Sequence, residues 1–189
     1  MSKLIMVTGG SRSGKSCFSE KICTAASDRL AYIATAEAMD DEMAQRIKTH
    51  QERRGSSWTT FEIPINISER LDSFDPFDHV LLDCLTMLIS NMMFSLNIDF
   101  EMIGRSEREA VEKHILDDVK KLLDGIRRSN INFVIVTNEI GLGIVPEGRL
   151  SRLYRDIVGK ANQILASEAD EVYFVVSGIP LKIKGCDPV

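Results

Sequence analysis

One short stretch, Gly9-Gly10-Ser11-Arg12-Ser13-Gly14-Lys15-Ser16, constrains this chain more than any other part of it. It fits G-x-x-x-x-G-K-[ST] at every fixed position. It also follows the apolar run Lys3 to Thr8 and opens a helical pattern from Lys15, in which Phe18, Ile22, Ala25 and Ala26 share a face. Glycines let the backbone curl so that its N–H groups point inward at phosphate oxygens. A helix N-terminus adds partial positive charge. Lys15 can reach the β- and γ-phosphates of a nucleotide, and Ser16 can ligate Mg²⁺. A strand, a phosphate-binding loop and a helix in that order commit the chain to an α/β architecture.

The rest of the sequence agrees. Ala31 to Thr35, Thr59 to Ile63, Val80 to Asp83, Asn132 to Thr137 and Val172 to Val176 are apolar runs of strand length. Helical patterns separate them. Asp40-Asp41-Glu42 opens one helix with acid, and Arg53-Arg54-Gly55 closes it with base and a glycine stop. Met87 to Leu96 reads as a second. Ser106-Glu107-Arg108-Glu109 matches a capping box, and Val111, Ile115, Val119, Leu122 and Ile126 continue it at helical spacing. Leu150 to Leu165 forms another. Ser177-Gly178-Ile179-Pro180 reads as a turn, with Leu181 to Lys184 alternating as an edge strand does. Strands alternating with helices imply parallel crossovers. The expected fold is a three-layer P-loop nucleotide-binding domain over residues 1–189, mostly parallel, with an antiparallel C-terminal edge hairpin.

Composition narrows the function. With 23 basic and 28 acidic residues the net charge is -5, which argues against a general nucleic-acid binder. No apolar run approaches the roughly 20 residues of a membrane span. Cys17, Cys23, Cys84 and Cys186 form neither a C-x-x-C pair nor a zinc cluster, so they read as reduced thiols of a cytoplasmic protein.

Asp83 ends an apolar strand, where an acid in a P-loop protein holds Mg²⁺ through water. Asn138-Glu139 follows another buried strand, on the side where parallel strands open onto a ligand crevice. Glu139 is either a base or hydroxyl-orienting group, or a helix cap. A switch GTPase would carry Asn-Lys-x-Asp, and the chain contains no Asn-Lys pair. His50 sits among Arg46, Lys48, Arg53 and Arg54. It is either a half-buried structural histidine or a nucleophile toward phosphorus. Neighbouring cations lower its pKa, and a helix C-terminus raises it.

Several segments together resemble a known family. They are the P-loop, Tyr-Ile-Ala-Thr-Ala (32–36), Asp-Asp-Glu-Met-Ala-Gln-Arg-Ile (40–47) before His50, and Val-Leu-Leu-Asp-Cys-Leu-Thr (80–86). Val-Thr-Asn-Glu-Ile-Gly-Leu-Gly-Ile-Val-Pro-Glu (136–147), Tyr-Arg-Asp-Ile-Val-Gly-Lys-Ala-Asn-Gln (154–163) and the stretch 169–184 join them. The resemblance is to the bifunctional adenosylcobinamide kinase/adenosylcobinamide-phosphate guanylyltransferases of cobalamin biosynthesis, and it spans nearly the whole chain. It implies two reactions. A γ-phosphoryl group passes from ATP or GTP to the aminopropanol hydroxyl of adenosylcobinamide. GMP from GTP then passes to that phosphate through a histidine–GMP phosphoramidate, giving adenosylcobinamide-GDP and pyrophosphate.

By position, the resemblance makes His50 the nucleophile and Lys15 the phosphate-binding lysine. It implies nucleotide contacts at Gly9, Gly10, Ser11, Arg12, Ser13, Gly14, Lys15, Ser16, Ala34, Thr35, Ala36, Gln51, Glu52, Arg53, Arg54, Glu62 and Asp83, with Ser16 and Asp83 toward Mg²⁺. Glu62 would accept from guanine N1 and N2. A homotrimer is implied, for which Met87 to Phe94 and Arg149, Arg152 and Arg155 are interface candidates, although Met92, Met93 and Phe94 also suit plain core. The sequence departs from the family at Thr49, where a second histidine is common, at Gln51-Glu52-Arg53-Arg54, and in the tail Cys186 to Val189. His79 and His114 read as structural. Two other readings are a P-loop kinase for another small hydroxyl compound, with His50 structural, and a non-catalytic nucleotide-binding regulator.

Overall fold

Successive side chains of the central strands are buried on opposite faces of one sheet, and helices cover both faces. The computed structural model describes residues 2–36 and 57–185. Within them the elements run β1 (Leu4–Gly9), α1 (Lys15–Thr24), β2 (Leu30–Ala34), β3 (Trp58–Glu62), a 3-10 helix (Ile67–Phe74), β4 (His79–Asp83) and α2 (Leu85–Ser95). They continue with α3 (Arg105–Arg128), β5 (Asn132–Val136), α4 (Arg149–Glu168), β6 (Glu171–Val176) and β7 (Ile179–Lys184). Leu4, Met6, Ile33, Leu82, Phe133 and Ile135 face one layer, formed by the 3-10 helix, α2, α3 and α4. Ile5, Val7, Tyr32, Leu81, Val134 and Val136 face the other, where α1 packs through Cys23, Phe18 and Ile22. Successive strand residues point to opposite faces, so runs buried on both sides need cover on both.

The seven strands lie in the order β3-β2-β4-β5-β1-β6-β7. All neighbouring pairs are parallel except β6 with β7. The expected three-layer fold with an antiparallel edge hairpin is therefore what forms. No helix among the described residues is long and apolar enough to cross a membrane.

Four local expectations change. The hairpin turn is only Ser177-Gly178, both at positive φ (51° and 83°), while Ile179 and Pro180 belong to β7. Two residues in that conformation match the twist of the flanking strands, so the turn needs no more. The capping box is displaced: α3 begins at Arg105, and Glu107 accepts the Gly104 N–H at 2.8 Å. Glu109 pairs instead with Arg105, one turn away. On α1 the buried positions are Lys15, Ser19, Glu20 and Cys23, whereas Ala25 and Ala26 are exposed. The 3-10 helix, which the sequence reading left unassigned, buries Ile67 and Phe74 against the larger core. The helix expected around residues 40–54 and the tail from Cys186 lie outside the described residues.

Candidate nucleotide and transfer site

The phosphate-binding loop is shaped by backbone conformation. β1 is buried throughout and ends at Gly9, whose φ is 148°. A Cβ there would stand 2.4 Å from the Val175 carbonyl oxygen, so only glycine fits. Gly14, at φ 97°, caps α1 in the left-handed region, and Phe18 donates its N–H to the Gly14 carbonyl at 3.0 Å to start the helix. The tip of the β6–β7 hairpin closes on the loop from outside, with the Gly178 N–H donating to the Ser13 carbonyl at 2.8 Å. That contact was not legible in the sequence. Its one trace is the Ser-Gly pair between two alternating runs.

Lys15 is nearly buried, at 7% exposure, and its ammonium donates back to the Gly10 carbonyl at 2.6 Å. Burial lowers its pKa, while the Cys84 and Asp83 charges act in the other direction. Burial pushes the Cys84 thiol itself up to about 11, so at neutral pH Asp83 is the opposing charge. Two buried hydroxyls at this end of β1, Thr8 Oγ1 and Ser13 Oγ, have no partner among the described residues. Unpaired buried hydroxyls are costly and usually mark a place for a ligand or water.

Parallel register lines up the other acidic candidates. Ala34 pairs with Glu62 on one side and with Asp83 on the other, Asp83 pairs with Val136, and Val136 pairs with Val7. Glu62, Ala34 and Asp83 therefore form one row at the carboxyl end of the sheet, level with the approach to the P-loop. At about 4.8 Å per strand, Glu62 and β1 stand roughly 19 Å apart along this row. Glu62 is exposed at the end of β3. The Asp83 carboxylate accepts the Tyr32 hydroxyl at 3.1 Å. Tyr32 thus steadies the acid, a role its place in an apolar strand did not announce. Ser16 is the second residue of α1, directly after Lys15. A hydroxyl and a carboxylate are the hard oxygen donors that Mg²⁺ takes, so this pair suits the ion.

Thr35 is fully buried. Its hydroxyl donates to the Cys84 carbonyl at 3.0 Å and accepts the Cys84 N–H at 2.8 Å. Its carbonyl accepts from Asn91 at 2.7 Å. In the described structure Thr35 locks β2 to the turn after β4. Ala34 and Ala36 remain half-buried beside it. Beneath the crevice runs a second polar set. Thr137 Oγ1 donates to Asn162 Oδ1 at 2.7 Å, Asn162 donates to the Asn138 carbonyl at 3.0 Å, and Asn138 donates to Thr86 Oγ1 at 2.8 Å. The Tyr154 hydroxyl, pushed up to about 12 by burial, donates to the Thr86 carbonyl at 3.0 Å.

The structure thus brings Gly9 to Ser16, Ala34 to Ala36, Glu62 and Asp83 to one end of one sheet. His50 and Gln51 to Arg54 lie outside the described residues. His79 sits at the opposite end of β4, half-buried, and His114 lies on α3 facing Asp118 at 3.7 Å, so neither belongs to this site. Of the interface candidates, Met93 is core, Met92 packs against core, and Phe94 is exposed. Arg149 donates to the Glu101 carbonyl, Arg152 to the Pro146 and Glu147 carbonyls, and Arg155 to Asp156.

The solved structure of a KaiC-like protein from Pyrococcus horikoshii OT3 is similar at a TM-score of 0.48 and 11% identity, covering 91% of this chain and 70% of that one. The bifunctional adenosylcobalamin biosynthesis protein CobU of Salmonella typhimurium is 43% identical over 187 residues, covering 96% of this chain and 99% of that protein. The Escherichia coli protein of the same name is 42% identical over 182 residues, with coverage of 96% and 99%. The Pseudomonas aeruginosa protein CobP is 36% identical over 181 residues, with coverage of 95% and 96%. The model of the cobinamide kinase / cobinamide phosphate guanyltransferase family matches residues 5–183, and the chain belongs to that family.

Proposed function

We propose that this protein phosphorylates the aminopropanol hydroxyl of adenosylcobinamide with ATP or GTP, and then transfers GMP from GTP to the product through a histidine–GMP intermediate on His50. The observation that carries this reading is a preformed phosphate loop continuous, along one sheet end, with the register row Glu62–Ala34–Asp83. A triphosphate seated on Gly9 to Ser16 exchanges the internal Lys15–Gly10 bond for a bond to phosphate. Backbone N–H groups of Ser11 to Ser16 and the α1 terminus then face the phosphate charge. Ser16 and Asp83 are the oxygen donors for Mg²⁺, which supplies charge neutralisation on the phosphates when bound. Ala34, Thr35 and Ala36 line the path to the guanine, and Glu62 receives its N1 and N2 hydrogens; Gln51 to Arg54 are assigned as further nucleotide contacts by their match to the family segment.

A histidine suits the second step because its neutral ring nitrogen attacks phosphorus and leaves again readily. The protein works as a cytoplasmic homotrimer. The free thiols Cys17, Cys23 and Cys84 are in keeping with a reducing compartment, and exposed Phe94, Met102, Leu142, Ile144 and Val145 are apolar surface that a trimer can bury.

The test is to incubate the pure protein with Mg²⁺ and GTP labelled at the α-phosphate, and to look for label on the denatured chain. Acid-labile, base-stable label that is absent from His50→Ala and passes to cobinamide phosphate is the expected result. Bound GTP without label on the chain would instead favour a P-loop kinase with a structural His50.

A further inference from the structure

Glu139 follows β5, the strand inserted between β1 with its P-loop and β4 with Asp83. The chain continues alongside β1 past the end of β5. The Thr137 N–H donates to the Val7 carbonyl at 3.0 Å, and the Glu139 N–H donates to the Gly9 carbonyl at 3.1 Å. Glu139 is thereby held against the first residue of the phosphate loop. Its mount is rigid, because the two residues before it, Thr137 and Asn138, are both bonded to Asn162 of α4, and Asn138 reaches Thr86. The carboxylate is half-buried and accepts the Gly141 N–H at 3.3 Å, which leaves it lone pairs for a further donor. It is not a helix cap: α4 begins only at Arg149 and is capped by Gly148. The acid whose charge acts on Lys15, Asp83, accepts from Tyr32.

We propose that Glu139 is the catalytic base of the phosphoryl transfer, taking the proton from the acceptor hydroxyl; this rests on the kinase reading given above. In the step, the hydroxyl oxygen forms a bond to the γ-phosphorus as its proton passes to a Glu139 carboxylate oxygen. The bond from the γ-phosphorus to the β,γ-bridging oxygen breaks, and its electron pair stays on the nucleoside diphosphate. The proton later leaves Glu139 for solvent. Self-guanylylation of the protein involves no acceptor hydroxyl, so this base has no part in it.

That separation gives the test. The wild type, Glu139→Gln and Glu139→Asp are assayed for phosphorylation of cobinamide by ATP and, in parallel, for GMP label on the chain from α-labelled GTP. Positioned acid–base groups contribute about 10²–10⁴-fold. The expected result is that the ratio of phosphorylation to self-guanylylation falls about 100-fold or more in Glu139→Gln and is partly restored in Glu139→Asp. An unchanged ratio overturns the proposal, whether both activities survive or both fall together, since the latter marks Glu139 as merely structural. A wild type that takes GMP label but phosphorylates no cobinamide overturns the kinase half of the proposed function, and this base with it.

Discussion

The two halves of the site are built by different means. The phosphate half is one continuous peptide, Gly9 to Ser16, whose shape follows from glycine conformations and from a hairpin tip pressed against it. The half around Ala34, Glu62 and Asp83 is assembled from three strands and exists only because their registers align. A contiguous loop carries its function within its own sequence and tolerates little change. A register-built row distributes its function over separate side chains, each of which can be altered singly. Perturbing the first half should therefore abolish both reactions, and perturbing Glu62 in the second should shift the choice of nucleotide.

The largest effect is expected from Lys15→Ala. Lys15 is the cation at the centre of the loop, and removing one preorganised charge-stabilising donor costs roughly 10²–10³-fold in kcat. Both phosphoryl transfer and self-guanylylation should fall by that order while the circular dichroism spectrum is kept. Loss of only one reaction would mean that the two do not share the phosphate loop.

Glu62→Gln should act on the other half alone. An amide cannot accept from both guanine N1 and N2 as a carboxylate does, so kcat/KM for GTP in self-guanylylation should drop about 10- to 100-fold (roughly 1.4–2.8 kcal/mol). ATP-driven phosphorylation of cobinamide should stay near wild type. Equal loss with both nucleotides would remove Glu62 from guanine recognition.

Gly178→Ala probes the tie between the hairpin and the loop. At φ 83° an alanine is strained, yet its Cβ meets nothing within 4 Å. Strain alone is then at stake, about 1–2 kcal/mol. The urea midpoint should fall accordingly, and the KM for nucleotide should rise modestly in both reactions. A variant as stable as wild type would show that the Gly178–Ser13 bond contributes little to the shape of the loop.

The same contrast explains what the sequence disclosed. The P-loop was readable in full because every element of its mechanism is local: the strand before it, the glycines, the lysine and the helix after it. The buried strands were readable within a residue or two, because a run covered on both faces is apolar without interruption. The order of the strands was not readable, since nothing local in Asn132–Val136 says that it inserts between β1 and β4. For the same reason the place of Glu139 beside Gly9 stayed open, and so did the contact between Gly178 and Ser13, residues far apart in the chain. The polar inner face of α1 was misread because Ser19 and Glu20 are not residues that a hydrophobic stripe selects. Glu62 and Asp83 were named through family resemblance, and pairing of both strands with Ala34 accounts for their lying together.

The smallest effect concerns the far end of the hairpin that grips the loop. Glu171, at the start of β6, is half-buried, which on its own would raise its pKa. Hydrogen bonds from Lys182 on β7, Lys3 and the Tyr173 hydroxyl, each at 2.8 Å, outweigh burial and bring it to about 2. A carboxylate whose folded pKa lies below its unfolded value adds stability that is fully present above the unfolded value of 4.5 and is lost as pH falls toward 2. Glu171→Gln should therefore be less stable than wild type at pH 7, and the gap should narrow steadily below about pH 4.5. Urea midpoints of the two proteins, compared across that range, isolate this group from the other carboxylates, which titrate in both. A gap that does not change with pH would mean that the charge on Glu171 does not hold β6 to β7. The hairpin tip at Gly178 would then be fixed by its turn and by backbone pairing alone.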